Sequence, residues 1–219
     1  MSKILVTGGA GFIGGHLVDF LVLKKYQVVV IDDFSNGNYK NIGAKYVKKD
    51  FRKLTPKLLE DVDTVFHLAG ILDVETSKTN PFKYLEENST ATYKLLELCV
   101  KSKVRKFIYA SSCASAFPHS SPYALSKYLP ELYCKTYSET FDIDTTSLRF
   151  FNVYGERMNH SGYKLVLSIF LDQYKNNLPL TVTNDGKQKR DFVHVNDVVS
   201  ALYKSKNVCS PPKQLCNSI

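Results

Sequence analysis

The sequence predicts an α/β fold in which helices cover both faces of a parallel sheet. Two observations support this prediction. Short runs of β-branched and aliphatic residues alternate with helical patterns, and a glycine-rich turn joins the first such run to the first helix. Strands joined through helices lie parallel, and right-handed crossovers place those helices on both faces. The predicted strands cover residues 4–6, 28–31, 45–48, 64–68, 104–110 and 143–150.

The glycine-rich turn lies between the first strand and the first helix, where the chain reads T-G-G-A-G-F-I-G. Glycines at this spacing let a pyrophosphate approach backbone N–H groups and let the helix pack tightly on the strand. The helix N-terminus adds partial positive charge for an anion. The alternative is a glycine-rich turn without a ligand. The context favours a Rossmann-type dinucleotide site, whose predicted residues here are Gly8, Gly11, Phe12, Ile13 and Gly14.

Acidic residues follow the second predicted strand and point to the type of dinucleotide. Asp32 lies where a carboxylate accepts hydrogen bonds from the adenosine ribose hydroxyls, and its charge repels a 2′-phosphate. NAD is therefore favoured over NADP, with Asp33 and Asn36 as further cofactor-binding residues. The alternative for Asp32 alone is an aspartate that caps a loop.

Two further strand ends complete the predicted cofactor site. Asp50 and Phe51 follow the third strand, where a side chain borders the adenine, although Asp50 fits the cap of a turn equally well. Leu68, Ala69 and Gly70 end the fourth strand, and the small residues among them allow a cofactor close approach.

An acid–base pair is predicted after the fifth strand. Tyr123 and Lys127 are four residues apart at the start of a helix and share a face. Lowering a phenol pKa from about 10 to about 7 takes roughly 4 kcal/mol, and an ammonium about 4 Å away supplies roughly that much at an effective dielectric near 20. Ser112 ends the strand, where we expect its hydroxyl to bind the substrate oxygen whose proton Tyr123 takes. The alternative is an ordinary helix surface.

The remaining pattern predicts long helices over residues 81–101 and 122–140, with Asn88 in the first of them. After Gly155 the alternation of strand and helix patterns is weaker. The pattern there predicts a helix over 162–175, short runs at 180–183 and 191–195, and a helix over 196–205. We expect a dinucleotide-binding domain over 1–155 and a small substrate-binding lobe over 156–219, one segment of which returns to the core. Whether this lobe is complete stays open.

Composition narrows the class of protein. The net charge is +8, but the basic residues are scattered, mostly at element ends, which favours a solvated surface over nucleic-acid binding. Neither a membrane-length apolar run nor a signal-peptide pattern is present, so we expect a cytoplasmic protein without a membrane partner. The five cysteines are scattered and should be reduced, and the histidine and cysteine spacings predict no metal.

Several motifs in order resemble the extended short-chain dehydrogenase/reductase family, specifically its NAD-dependent nucleotide-sugar epimerase/dehydratase branch. The resemblance spans nearly the whole chain. Its motifs are T-G-G-A-G-F-I-G (7–14), H-L-A-G (67–70), A-S-S (110–112), Y-A-L-S-K (123–127), L-R-F-F-N-V-Y-G (148–155) and R-D-F-V-H-V-N-D (190–197).

The resemblance implies roles for matching residues. Tyr123 would take a proton from a sugar hydroxyl, and Lys127 would lower its pKa and hold the nicotinamide ribose. Ser112 would share the sugar oxygen, with Cys113 beside it in the substrate site. Asn88 would orient the lysine or a water. Residues expected at the diphosphate of the substrate are Asn152 and Arg190. The resemblance also implies a homodimer formed through the two long helices.

Three departures shape the predicted activity. Dehydratases of this family carry an Asp-Glu pair where this chain has Cys113 and Ala114, which favours 4-epimerisation over dehydration. Ten residues separate Ser112 from Tyr123, a short loop for the family, and the chain is shorter than family members of about 300 residues. The hypotheses are an NAD-dependent nucleotide-sugar 4-epimerase, a 4-reductase or 4,6-dehydratase of a deoxysugar pathway, and a catalytically impaired NAD-binding sensor or scaffold.

Overall fold

The computed structural model describes residues 2–158, 166–182 and 185–208. The strands are β1 (Lys3–Thr7), β2 (Gln27–Asp32), β3 (Lys45–Lys48), β4 (Val62–His67), β5 (Lys106–Ser112), β6 (Asp144–Phe150), β7 (Asn152–Tyr154) and β8 (Phe192–His194). The helices are α1 (Phe12–Leu23), α2 (Val74–Thr79), α3 (Pro81–Tyr84), α4 (Ala91–Lys101), α5 (Pro122–Thr140), α6 (Val166–Lys175) and α7 (Val195–Asn207). Within the described ranges, 3-10 turns cover Phe51–Lys53, Pro56–Leu59, Cys113–Ala116 and Pro118–Ser120.

Six strands form one parallel sheet in the order β3-β2-β1-β4-β5-β6. The chain moves outward from β1 in one direction and then crosses β1 to continue in the other. Such a reversal leaves a crevice beyond the carboxyl ends of the central strands, where ligands bind in open α/β sheets. The predicted doubly wound, Rossmann-type fold is confirmed.

Helices bury both faces of the sheet because successive strand residues point to opposite sides. On β1, Ile4 and Val6 belong to one core cluster, whereas Leu5 belongs to the other. The first cluster includes α1 and α7. The second includes α4 and α5. Helix α7 therefore packs on the same face of the sheet as α1.

The predicted helix over 81–101 is interrupted. A π-helical turn, Leu85–Thr90, separates α3 from α4. Such turns widen a helix and frequently occur at functional sites. Here the turn contains Asn88, whose side-chain amide is hydrogen-bonded to both backbone groups of Ile71. Sequence periodicity missed the turn because apolar residues repeat on both sides of it at helical spacing.

Helix α5 matches its predicted bounds despite a proline in its interior. Pro130 has no N–H group, so it leaves the carbonyl of Ser126, one turn earlier, without its usual helical donor. The Ser89 hydroxyl donates to that carbonyl at 2.9 Å. The π-helical turn therefore compensates for the proline, and the two segments are joined at the level of Tyr123 and Lys127.

After β6 the chain forms α6 and a two-stranded parallel sheet of β7 and β8. Of the predicted run over 180–183, residues 180–182 form no strand, and they lie exposed without the apolar contacts that stabilise one. Thr183 lies outside the described residues, as do the first four residues of the helix predicted from 162. Residues 56–59 form a 3-10 turn that begins with Pro56. The described residues contain no helix with the length and apolarity that a membrane crossing requires.

Candidate active site

One cavity of about 410 Å³ opens at the carboxyl ends of the central strands. It brings together residues that the sequence predicted from separate motifs. The predicted residues in its wall are Gly8, Gly11, Phe12, Ile13, Gly14, Asp32, Asp33, Asn36, Asp50, Phe51, Leu68, Ala69, Gly70, Ser112, Cys113, Tyr123, Lys127 and Asn152. Asn88 and Arg190 are not in this wall.

The glycine turn is tightly packed against the neighbouring strand end. Gly8 has a φ of +73°, and a Cβ at this position would lie 2.7 Å from the Ala69 nitrogen. A side chain is therefore excluded by both backbone conformation and space. Gly8, Gly11 and Gly14 therefore present backbone to the cavity, beside Phe12 and Ile13 at the start of α1. The geometry fits a phosphate-bearing cofactor.

Asp32 is held by backbone groups at the end of β2. Its two carboxylate oxygens accept hydrogen bonds from the Ala10 and Phe34 N–H groups, each at 2.8 Å. Burial raises the pKa of Asp32, while the two hydrogen bonds act in the opposite direction. Each oxygen retains a lone pair for a further donor. Asp32 therefore caps the loop, and it also lies in the cavity wall, where it is available to a ribose.

Asp50 acts as a cap in the structure. It accepts a hydrogen bond from the Arg52 N–H at 2.9 Å and pairs with the Arg52 guanidinium at 2.7 Å. The hydrogen bond from the Arg52 side chain is the largest cause of the lowered pKa of Asp50. Arg52 also lies 3.4 Å from Glu87 of the π-helical turn. Neither Arg52 nor Glu87 was predicted, yet both lie in the cavity wall with Asp50.

A buried histidine lies below the cofactor end of the cavity. His67 is hydrogen-bonded through Nδ1 to the Thr7 hydroxyl at 2.7 Å and through Nε2 to the Thr92 hydroxyl at 2.9 Å. The Thr92 hydroxyl itself donates to the carbonyl of Asn88. It therefore accepts from His67, which places the imidazole proton on Nε2 and makes Nδ1 an acceptor. Burial lowers the pKa of His67 to about 3, so the ring is neutral.

Asn88 extends this connection to α5. Its amide nitrogen donates to the Ile71 carbonyl and to the Ser126 hydroxyl, each at 3.0 Å. The Ser126 hydroxyl donates in turn to the carbonyl of Tyr123 at 2.8 Å. Asn88 thus joins the loop after β4 to the first turn of α5. The structure places it behind the cavity wall, where it contacts protein groups.

Tyr123 and Lys127 reach the cavity from the first turns of α5. Tyr123 is 8% exposed and packs edge-on against Tyr84, with ring centroids 6.3 Å apart. Lys127 donates to the carbonyl of Ala110 at 2.7 Å and lies 4.7 Å from the centre of the Tyr109 ring. Burial lowers the pKa of Lys127 to about 8. Ser112 lies at the end of β5, in the same wall.

The predicted substrate residues are only partly brought together. Cys113 and Asn152 lie in the cavity wall, and the Asn152 amide donates to the carbonyl of Asp191 at 2.9 Å. Arg190 is exposed, and its guanidinium donates to the Lys189 carbonyl at 3.1 Å. The sequence motif around Arg190 therefore lies beside the site, but its arginine side chain does not reach the cavity.

A second buried group was missed from sequence. Glu131, one turn after Lys127, is fully buried and paired with Arg149 of β6. Ser111, beside Ser112, donates to the same carboxylate. Charged residues usually lie at surfaces, so composition and periodicity gave no reason to bury this pair. The available signal was the position of Glu131 on the same helix face as Tyr123 and Lys127.

Comparison with known proteins places this arrangement in a family. A family model described as "NAD dependent epimerase/dehydratase family" matches residues 4–207. A Methanocaldococcus jannaschii protein provisionally named UDP-glucose 4-epimerase is 39% identical over an alignment that covers 93% of this chain and 73% of that protein.

Two solved structures are similar over most of the chain. A UDP-N-acetylglucosamine 4-epimerase from Methanobrevibacter ruminantium, in complex with UDP-N-acetylmuramic acid, has a TM-score of 0.88 at 33% identity and covers 94% of this chain and 73% of its own. An NAD-dependent NDP-hexosamine 5,6-dehydratase, TunA, has a TM-score of 0.87 at 32% identity, with coverages of 97% and 74%. Proteins of the same fold therefore carry out different sugar chemistry.

Proposed function

This chain belongs to the NAD dependent epimerase/dehydratase family, and we propose that it is an NAD-dependent nucleotide-sugar 4-epimerase. The observation that supports this most strongly is a single cavity that contains the glycine turn, Asp32, Ser112, Tyr123 and Lys127. The first two belong to a cofactor site and the other three to an acid–base site. Chemistry at a sugar hydroxyl beside a hydride acceptor needs both.

The cofactor half suits NAD. Backbone groups at the start of α1 would hold the pyrophosphate, and Asp32 would accept from the adenosine ribose. Around them we place Asp33, Asn36, Asp50, Phe51 and residues 68–70 as further cofactor contacts. Bound NAD supplies an acceptor for the hydride at sugar C4 and a donor for its return.

The acid–base half moves the proton. Tyr123 takes the proton of the C4 hydroxyl when the sugar is oxidised and returns it when the sugar is reduced. Lys127 holds positive charge beside it, which favours the deprotonated phenol. Ser112 hydrogen-bonds the same oxygen and fixes its position. Return of hydride to the opposite face of C4 gives the epimer.

The residues after β5 favour epimerisation over dehydration. Loss of water needs an acid and a base next to the oxidised carbon. Cys113 lies in the cavity wall, and Ala114 follows it, so this segment supplies no carboxyl group. A 4-reductase remains the second candidate, because it uses the same three residues. It differs by consuming reduced cofactor.

We place the diphosphate of the substrate near Asn152, at the C-terminal lobe, and assign residues 1–155 to cofactor binding. Arg190 is proposed to reach the diphosphate after its exposed side chain reorients, because a guanidinium binds phosphate oxygens in pairs. The similar proteins act on UDP-sugars, so UDP-glucose and UDP-N-acetylglucosamine are the first substrates to test.

The assay incubates NAD-loaded protein with UDP-glucose, UDP-N-acetylglucosamine and their galacto forms. We expect interconversion within a gluco/galacto pair without net change in NADH absorbance. Net oxidation of NADH with a 4-keto sugar nucleotide would favour the reductase. Bound NAD without turnover of any sugar nucleotide would favour the sensor or scaffold hypothesis.

We further propose a cytoplasmic homodimer. Apolar side chains on α4 and α5 are left partly exposed, among them Tyr93, Leu125 and Leu132. Paired with the same helices of a second copy, they would be removed from water. Light scattering at several protein concentrations should give twice the mass of one chain. A Leu125→Glu/Leu132→Glu variant should give the mass of one chain.

A further inference from the structure

Glu131 is held at both carboxylate oxygens inside the protein. Arg149 donates from Nε to Oε1 at 3.0 Å and from Nη2 to Oε2 at 2.7 Å. The Ser111 hydroxyl donates to Oε1 at 2.5 Å. These donors come from two neighbouring strands, β5 and β6, whereas Glu131 lies on α5. The carboxylate therefore fastens the catalytic helix to the strand that carries Ser112.

Lys127 holds the same strand end one turn earlier on the helix. Its ammonium donates to Ala110, the residue directly before Ser111. Lys127 and Glu131 are thus hydrogen-bonded to consecutive residues of β5, immediately before Ser112. The lysine side chain is almost completely buried, and a buried ammonium is costly without a nearby anion.

Several titratable or charged groups lie on the elements around Lys127. They are Tyr123 on its own helix, Tyr109 in β5, Cys113 in the turn after β5, His67 on β4, Arg149 on β6, and Glu87 and Asp73 in the cavity wall. His67 is neutral, as its pKa of about 3 requires. Burial lowers the pKa of Lys127 to about 8, and the Glu131 charge acts in the opposite direction.

We propose that Glu131 is a positioning residue for Lys127: its buried carboxylate, fixed by Arg149 and Ser111, keeps the lysine ammonium charged and held against the end of β5. This inference rests on the proposed function, in which Lys127 acts on Tyr123. A buried ion pair adds little net stability over apolar residues of similar volume. The effect expected of Glu131 is therefore on the charge of Lys127 and, through it, on catalysis.

The test is a titration of Lys127 in the full chain, without a sugar nucleotide. Protein labelled with ¹³C at lysine Cε gives one NMR signal per lysine, and the Lys127→Met variant identifies the Lys127 signal. In Glu131→Gln we expect the acid dissociation constant of Lys127 to rise about tenfold. Ser111→Ala is the matched control, because it removes a hydrogen bond to the carboxylate but no charge, and should change the constant less than about twofold.

An unchanged Lys127 midpoint in folded Glu131→Gln would overturn the proposal. If that variant does not fold, Glu131→Gln/Arg149→Met removes both charges together. The pH midpoint of the Lys127 titration should still fall in this double variant. A midpoint at or above that of the unsubstituted protein would also overturn the proposal. Because the titration needs no turnover, its result is separate from any failure of the epimerase assay.

The kinetic consequence is a shift of the alkaline limb of the kcat/KM profile to lower pH in Glu131→Gln. Loss of activity by the same factor at every pH would indicate a purely structural role and contradict the proposal.

Discussion

Two polar networks lie below the same cavity, and they differ in charge. The neutral network lies under the cofactor half and consists of Thr7, His67, Thr92 and Asn88. The ionic network lies under the acid–base half and consists of Lys127, Glu131, Arg149 and Ser111. Both are buried, and both join helices to strand ends.

This difference in charge matches the different requirements of cofactor binding and proton transfer. A bound dinucleotide needs loops in fixed positions, and neutral hydrogen bonds provide this without a net field. Proton transfer to Tyr123 is favoured by a fixed positive charge, which the ionic network provides at Lys127. The neutral network should therefore govern stability and its acid dependence, and the ionic network should govern the pH dependence of catalysis.

Tyr123→Phe should separate the two halves most clearly. Loss of the phenol oxygen removes the proton acceptor, so we expect kcat to fall by about 10²–10⁴-fold. NAD affinity and thermal stability should remain close to those of the unsubstituted protein. Tyr128→Phe on the same helix is the control and should retain activity. A fully active Tyr123→Phe variant would refute the catalytic assignment.

Acid should weaken the neutral network first. The pKa of His67 is about 3 when folded, against about 6.5 when unfolded. Its contribution to stability is complete above pH 6.5 and is lost as the pH falls toward 3. Between pH 7 and pH 4 this amounts to about 3 kcal/mol. Urea unfolding at both pH values should show a steeper loss for the unsubstituted protein than for His67→Gln. Equal losses would contradict the assignment of a neutral His67.

Replacement of His67 by phenylalanine should destabilise the fold at neutral pH. The Thr7 hydroxyl would lose its acceptor, and the Thr92 hydroxyl would lose its donor. Groups left unpaired in this way cost about 2 kcal/mol in total. Urea denaturation gives the value directly. His119→Phe, at an exposed position, is the control and should change the free energy of unfolding by less than about 0.5 kcal/mol.

The smallest effect is expected at Asp32. Asp32→Asn removes the charge that opposes a 2′-phosphate, and it leaves one oxygen where two now accept from backbone. We expect the preference for NAD over NADP to fall about tenfold, or about 1.4 kcal/mol. Dissociation constants of both cofactors, measured by calorimetry, give the ratio. An unchanged ratio would show that Asp32 serves only as a loop cap.

The residues predicted to hold the cofactor lie in one cavity wall because their sequence signals are local. The glycine spacing, Asp32 and the small residues at 69–70 each follow directly from a strand end, and parallel strands bring those ends together. The pairing of Tyr123 with Lys127 was predictable for a similar reason, since residues four apart share one helix face.

The supporting networks were not predictable in the same way. Glu131 and Arg149 are 18 residues apart in sequence and meet only once α5 packs on β6. The π-helical turn contains Asn88, whose amide is hydrogen-bonded to Ile71, a contact that periodicity does not encode. Arg190 was placed by its motif, yet its exposed side chain points to a neighbouring carbonyl, because backbone position does not fix a long side chain.

The most direct test of the epimerase assignment follows the hydrogen at sugar C4. UDP-glucose deuterated at C4 is incubated with NAD-loaded protein, and the galacto product is analysed by NMR and mass spectrometry. We expect UDP-galactose that retains deuterium at C4, because the hydride leaves and returns within one site. If UDP-galactose forms with solvent hydrogen at C4, or if deuterium accumulates in free NADH, the proposed mechanism is contradicted.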